Sequence, residues 1–143
     1  MPTNLNPYIA FRGEAADAMA FYQSVLGGEL TSSTFAEFGM PVGPGEENQL
    51  MHSQLVTAGG LVLMGADTPA SMEYSTGSQI TISVSGQDVD ELRGWFEGLA
   101  EGGTITLPLE QAPWGDYFGQ LTDRYGIPWM FNIGGTPQEP TAQ

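Results

Sequence analysis

Few side chains in this sequence have the types and spacing to do chemistry. There is one histidine, His52, and no cysteine. Without cysteine, disulfides and thiol chemistry are excluded. His52 lies beside Met51 in a strand-like run. It is either a half-buried structural histidine or a polar contact or general base in a pocket. No second group of suitable type is near it in sequence, so no acid–base pair can be named. The sequence carries no GxSxG, P-loop or dinucleotide fingerprint. Gly43-Pro44-Gly45 has neither a lysine nor a following helix, so it is a turn and not a phosphate cradle. The serines at 32, 33, 83 and 85 alternate as strand polar faces do.

Charge narrows the partners. Seventeen acids stand against three arginines and no lysine, a formal charge of −14. Such a chain is repelled by phosphate backbones and anionic headgroups, so neither nucleic acid nor membrane is an expected partner. The acids are scattered (Glu14, Asp17, Glu37, Glu46, Asp67, Asp90, Glu97, Asp116). They form a solvated surface, or they attract a cationic ligand. The 143 residues suit one domain. No apolar run is long enough to span a membrane. The N-terminus lacks the charge and apolar core of a signal peptide, which makes the cytoplasm the expected location.

Periodicity supplies the elements that must position these residues. Residues 6–11 read as a strand, and 14–26 as a helix. Ala15, Ala18, Met19, Tyr22, Val25 and Leu26 share one helix face, and Gly27-Gly28 ends it. A strand over 29–38, a Pro/Gly loop over 39–48, a hairpin of 50–57 and 61–66, and a polar linker over 67–76 follow. The pattern then restarts. Residues 79–85 alternate as a strand. Val89, Leu92, Trp95, Phe96 and Leu99 form a second amphipathic helix, with Asp88 as N-cap and Glu91 three residues on. Gly102-Gly103 ends this helix. Strands over 104–109, 117–123 and 128–133 precede a polar tail, 134–143, expected to be disordered.

The two halves match in residues as well as outline. Gln54, Leu55, Gly60 and Met64 recur as Gln120, Leu121, Gly126 and Met130, each sixty-six positions on. This is the signature of a duplicated unit. The predicted fold is α+β: two pseudo-symmetric βαβββ modules, about 5–67 and 77–134, in one domain, forming a curved mixed sheet around a cleft where a ligand would sit.

Phe21-Tyr22-Gln23-Ser24-Val25-Leu26-Gly27 resembles the segment that ends the first helix of vicinal-oxygen-chelate (glyoxalase/bleomycin-resistance/dioxygenase) proteins. Asp123-Arg124-Tyr125-Gly126-Ile127-Pro128-Trp129 resembles their turn before the last strand. Asn6-Pro7-Tyr8, Met51-His52, Trp114-Gly115, Phe118-Gly119 and Trp129-Met130 with Asn132 are similar to the PhnB-like group within that superfamily. The resemblance implies paired modules, commonly in a homodimer. It also implies four ligand places for a divalent metal, which acts as a Lewis acid on vicinal oxygens. Carried onto this sequence, those places fall on Pro7 (Asn6 if the register slips by one), Met64, Gln79 and Met130. Proline cannot ligate, and thioethers suit hard cations poorly. No metal and no cofactor is therefore expected.

Two function classes stand. One is a metal-independent protein binding a small molecule in its cleft, with an apolar floor of Pro7, Met64 and Met130, aromatic walls from Trp114, Phe118 and Phe35, and polar anchors at His52, Gln79 and Thr81. The other is a lyase, isomerase or dioxygenase-type enzyme of the same superfamily, metal-dependent or working through His52. A dimer whose methionines and aromatics merely fill a core is the plainer alternative. The sequence leaves open whether the modules pair within one chain or exchange between two.

Overall fold

The computed structural model describes residues 3–77 and 79–134. The predicted disorder of the tail falls on 135–143, outside the described residues. Two compact units divide at Thr76/Gly77, and each is a βαβββ module.

In the first module the order is β1 (Tyr8–Phe11), α1 (Ala15–Leu26), β2 (Glu29–Thr34), β3 (Leu50–Val56) and β4 (Val62–Asp67). The strands form one mixed sheet in the order β1-β4-β3-β2, with β1 parallel to β4 and the other pairs antiparallel. Helix α1 covers one face. Its Ala15, Ala18, Met19 and Tyr22 are buried, as are Phe11, Leu55 and Leu63 beneath them. Gly65 makes this packing possible, because a Cβ there would stand 3.0 Å from Phe11 Cε2 and 3.1 Å from the Met19 sulfur. Strand residues alternate between faces. Gly65 and its register partners Ile9 and Ser53 therefore face the helix, while Tyr8, Met64 and Gln54 face away.

The second module repeats the plan: β5 (Ile82–Gly86), α2 (Val89–Ala100), β6 (Thr104–Gln111), β7 (Tyr117–Thr122) and β8 (Pro128–Ile133), with sheet order β5-β8-β7-β6. Leu92, Phe96 and Leu99 of α2 are buried. Phe96 meets Phe131 edge to face, with ring centroids 5.5 Å apart. Asp88 caps α2 as predicted, its carboxylate accepting from Glu91 N at 3.1 Å.

The repeat extends to the turns. In the β3–β4 hairpin, Thr57 N donates to Leu61 O and Gly60 N to Thr57 O; in the β7–β8 hairpin, Asp123 and Ile127, Gly126 and Asp123 do the same. Gly60 and Gly126 both have positive φ, 91° and 84°, which suits residues without a Cβ. Each hairpin is approached by the glycine just before the module's second strand. A Cβ on Gly28 would lie 2.7 Å from Thr57 Cα, and one on Gly103 would lie 2.9 Å from Asp123 Cα. Both obstacles are backbone and cannot swing away. Gly103→Ala is expected to lower stability by roughly 2 kcal/mol or more through forced backbone displacement, read from urea unfolding with an unchanged slope. Gly28→Ala should cost at least as much, since its φ of 98° adds a backbone penalty of about 1 kcal/mol.

Four predicted boundaries move by two residues or more. β1 begins at Tyr8, so Asn6 and Pro7 lie outside it; Pro7 has no N–H and contributes only its carbonyl, to Met64 N at 3.1 Å. β2 stops at Thr34 instead of continuing to residue 38. Thr34 N donates to the Glu37 carboxylate and Glu37 N to the Thr34 hydroxyl, and this reciprocal pair closes a turn. β5 starts at Ile82, leaving Gln79 and Thr81 before the strand. Its ladder opens at Ile82↔Trp129, next to Pro128, which has no N–H to pair. β6 runs two residues further, to Gln111, through two register shifts.

Candidate functional site

On the helix-free face of the first sheet, Tyr8, Met64, Gln54 and Thr31 form one row across four strands. The next position along β3 is His52, opposite Ser33. Tyr8 and His52 meet directly: the phenol oxygen is 3.2 Å from Nδ1, with ring centroids 5.7 Å apart. Loss of water around the phenol pushes its pKa above the ordinary tyrosine value, so it keeps its proton. A protonated hydroxyl donates to Nδ1 when that nitrogen carries no proton. The pair shares its face with the Met64 thioether.

The second module carries the equivalent row, Ser83, Met130, Gln120 and Leu107. One step along lie Ser85, Asn132, Phe118 and Glu110. Phe118 occupies the place that His52 holds in the first module. Trp114, exposed in the β6–β7 turn, meets Phe118 edge-on with centroids 5.9 Å apart. Asn132 Nδ2 donates to the buried Asp116 carboxylate at 3.0 Å.

Of the residues singled out from sequence, His52 and Met64 lie on one face of the first sheet, and Met130, Phe118 and Trp114 belong to the second module. Gln79 and Thr81 are exposed and precede β5. Phe35 is buried in the turn after β2. The first-strand places also shift. The residue opposite Met64 is Tyr8, not Pro7 or Asn6, and the residue opposite Met130 is Ser83, not Gln79. Tyr8, Asp116 and Asn132 are the functional candidates that sequence reasoning missed. No signal in the sequence separates Tyr8 from Pro7, because a one-residue slip of β1 against β4 exchanges the two faces.

These residues do not fit a divalent ion. The first row offers two neutral hydroxyls, one thioether and one amide, and the second one hydroxyl, one thioether and one amide, whereas hard cations gather several anionic or imidazole donors. Among the described residues, no group of three or more His, Cys, Asp or Glu side chains is placed to hold a metal.

The duplicated βαβββ plan, with Met64 and Met130 at matching places, is that of a vicinal-oxygen-chelate fold. The chain belongs to the Glyoxalase/Bleomycin resistance protein/Dioxygenase superfamily, whose sequence profile matches residues 4–131. It is 32% identical to protein YjdN of Escherichia coli over 148 aligned positions, covering 96% of this chain and 98% of that protein. Among solved structures it is similar to protein PA1353 from Pseudomonas aeruginosa, with a TM-score of 0.79 and 30% identity over 92% of this chain and 98% of that one. It is also similar to a PhnB protein from Bacillus cereus, with a TM-score of 0.73 and 26% identity over 92% and 100% of the two chains. No helix among the described residues is long and apolar enough to cross a membrane.

Proposed function

We propose that this protein is a PhnB-like binding protein that holds a small molecule against the helix-free faces of its sheets without a metal ion. The observation that carries this reading is the pair of matching rows, Tyr8–Met64–Gln54 and Ser83–Met130–Gln120. Both put an adaptable thioether between neutral hydrogen-bonding groups, the mixture that lines small-molecule sites. In this reading the protein works in the cytoplasm as a homodimer, and its charge of −14 keeps it off nucleic acids and anionic membranes.

Metal analysis and thermal shift test the proposal together. The purified protein is expected to carry no stoichiometric divalent ion, and its melting point is expected to be the same with EDTA, Mn²⁺, Zn²⁺ or Ni²⁺. A small molecule from a screen of diketones, glutathione conjugates and amine-bearing antibiotics is expected to raise it, because a ligand of the folded state alone stabilises that state. A stoichiometric ion that EDTA strips with loss of stability overturns the metal-free reading. One contact favours a second reading. The Tyr8–His52 hydrogen bond is within reach for metal-free proton transfer. If the protein is an enzyme of this kind, His52→Ala and Tyr8→Phe abolish turnover and leave ligand affinity in place.

A further inference from the structure

We propose that the end of the second sheet at the β6–β7 turn, around Asp116, recognises an organic cation, the ammonium-type group of the small molecule; this rests on the binding reading above. Asp116 is only 8% exposed. A carboxylate that far out of water is costly unless it is paired. Its hydrogen bond from Asn132 is to a neutral amide and engages Oδ2 alone. Among the described residues no donor reaches Oδ1, which is open to solvent.

The chain's three arginines are engaged elsewhere. Arg12, in the first module, donates to the carbonyls of Pro69 and Met72 and lies over the Tyr74 ring. Arg93 projects from α2 and lies over Tyr117 at 5.5 Å. Tyr117 has the parity of Gly119, which faces the helix, so Arg93 is on the other side of the sheet. Arg124 donates twice to the Glu101 carbonyl.

The groups around Asp116 are those that favour a cation with a carbon shell. Trp114 is 59% exposed and is held edge-on against Phe118. Phe118 is the register partner of Asn132, whose amide reaches Asp116, so ring and carboxylate occupy one corner. Aromatic faces attract alkylammonium groups, and a desolvated carboxylate strengthens that attraction. Glu110, opposite Phe118, adds negative charge. Asp116 and Glu110 beside two rings are too few donors for an inorganic divalent ion and suit an organic amine.

The test compares choline with 3,3-dimethylbutan-1-ol, which has the same shape without the charge, by NMR titration of the intact protein. Choline is expected to move the amide signals of residues 114–118 and the Trp114 indole signal. The alcohol should bind at least about tenfold more weakly. Asp116→Asn keeps the Asn132 contact and should reduce choline to the level of the alcohol. Glu97→Gln removes the same charge from an exposed helix position and should change nothing. Trp114→Leu, at an exposed site, should weaken choline binding even if Asp116→Asn fails to fold. Equal binding of choline and the alcohol, or no choline response at residues 114–118, overturns the proposal. So does Asp116→Asn behaving like Glu97→Gln. A screened ligand that stabilises the parent, Asp116→Asn and Trp114→Leu proteins alike leaves the binding function standing and removes the cation site.

Discussion

Asp123→Ala is expected to cost roughly 3–5 kcal/mol, a large part of a small protein's stability. The Asp123 carboxylate accepts three hydrogen bonds: Tyr125 N at 2.8 Å, Ile127 N at 3.1 Å and Trp129 Nε1 at 2.9 Å. Asp123 and Trp129 are both buried. Alanine removes the acceptor and leaves the donors in place, and each buried donor left unmade costs about 1–3 kcal/mol, less where water reaches it. The first module shows which part of this role a smaller group can fill. Thr57, at the matching place, accepts from Leu61 N through its hydroxyl at 3.1 Å. Asp123→Thr should therefore retain the turn and lose the indole bond, for an intermediate loss. Urea unfolding of the three proteins checks the order; equal stabilities for Asp123→Ala and the parent would refute it.

The second large effect is expected at Asp67, at the end of β4. Its two carboxylate oxygens accept from Ala15 N and Leu50 N, each at 3.0 Å, and the residue is buried. One bond satisfies a free N–H at the start of α1; the other ties the start of β3. Asp67→Ala should cost about 3 kcal/mol by leaving both donors unsatisfied. Asp67→Asn should cost less, since its remaining oxygen can serve one of them. Hydrogen exchange separates this from general loosening. In Asp67→Ala the first turn of α1 should lose protection relative to its last turn. Uniform loss along the helix would count against the capping role.

Those two residues also show what the sequence could and could not convey. The cap of α2 is local: Asp88 and Glu91 are three residues apart, so spacing reveals it. The cap of α1 is not. Glu14 stands at the N-cap position but makes no side-chain cap bond, and the carboxylate that does the work is fifty-two residues away. The duplication was legible because hairpins are local units, and Gln54, Gly60 and Met64 kept their spacing from one half to the other. The first strands were not, because β1 joins β4 and β5 joins β8 across long crossovers. A one-residue slip there exchanges the two faces, and it separates Pro7 from Tyr8 as a site residue. The end of β2 did carry a readable signal in Thr34 and Glu37, hidden by Phe35 and Phe38, whose apolar character suggests that the strand continues. Asp116 and Asn132, sixteen positions apart, meet only once β7 and β8 pair.

The irregular β6 has a bearing on how the protein behaves when crowded. An outermost strand with free amides invites neighbouring chains to add to it. β6 carries the exposed Ile105 and Leu107, which would strengthen such stacking. Its register breaks between Ile105 and Leu107 and again between Leu107 and Glu110, and Pro108 falls in the second break. Without that proline's N–H and without an even ladder, the strand is a poor template for fibrillar growth, and a straightened β6 would forfeit that protection.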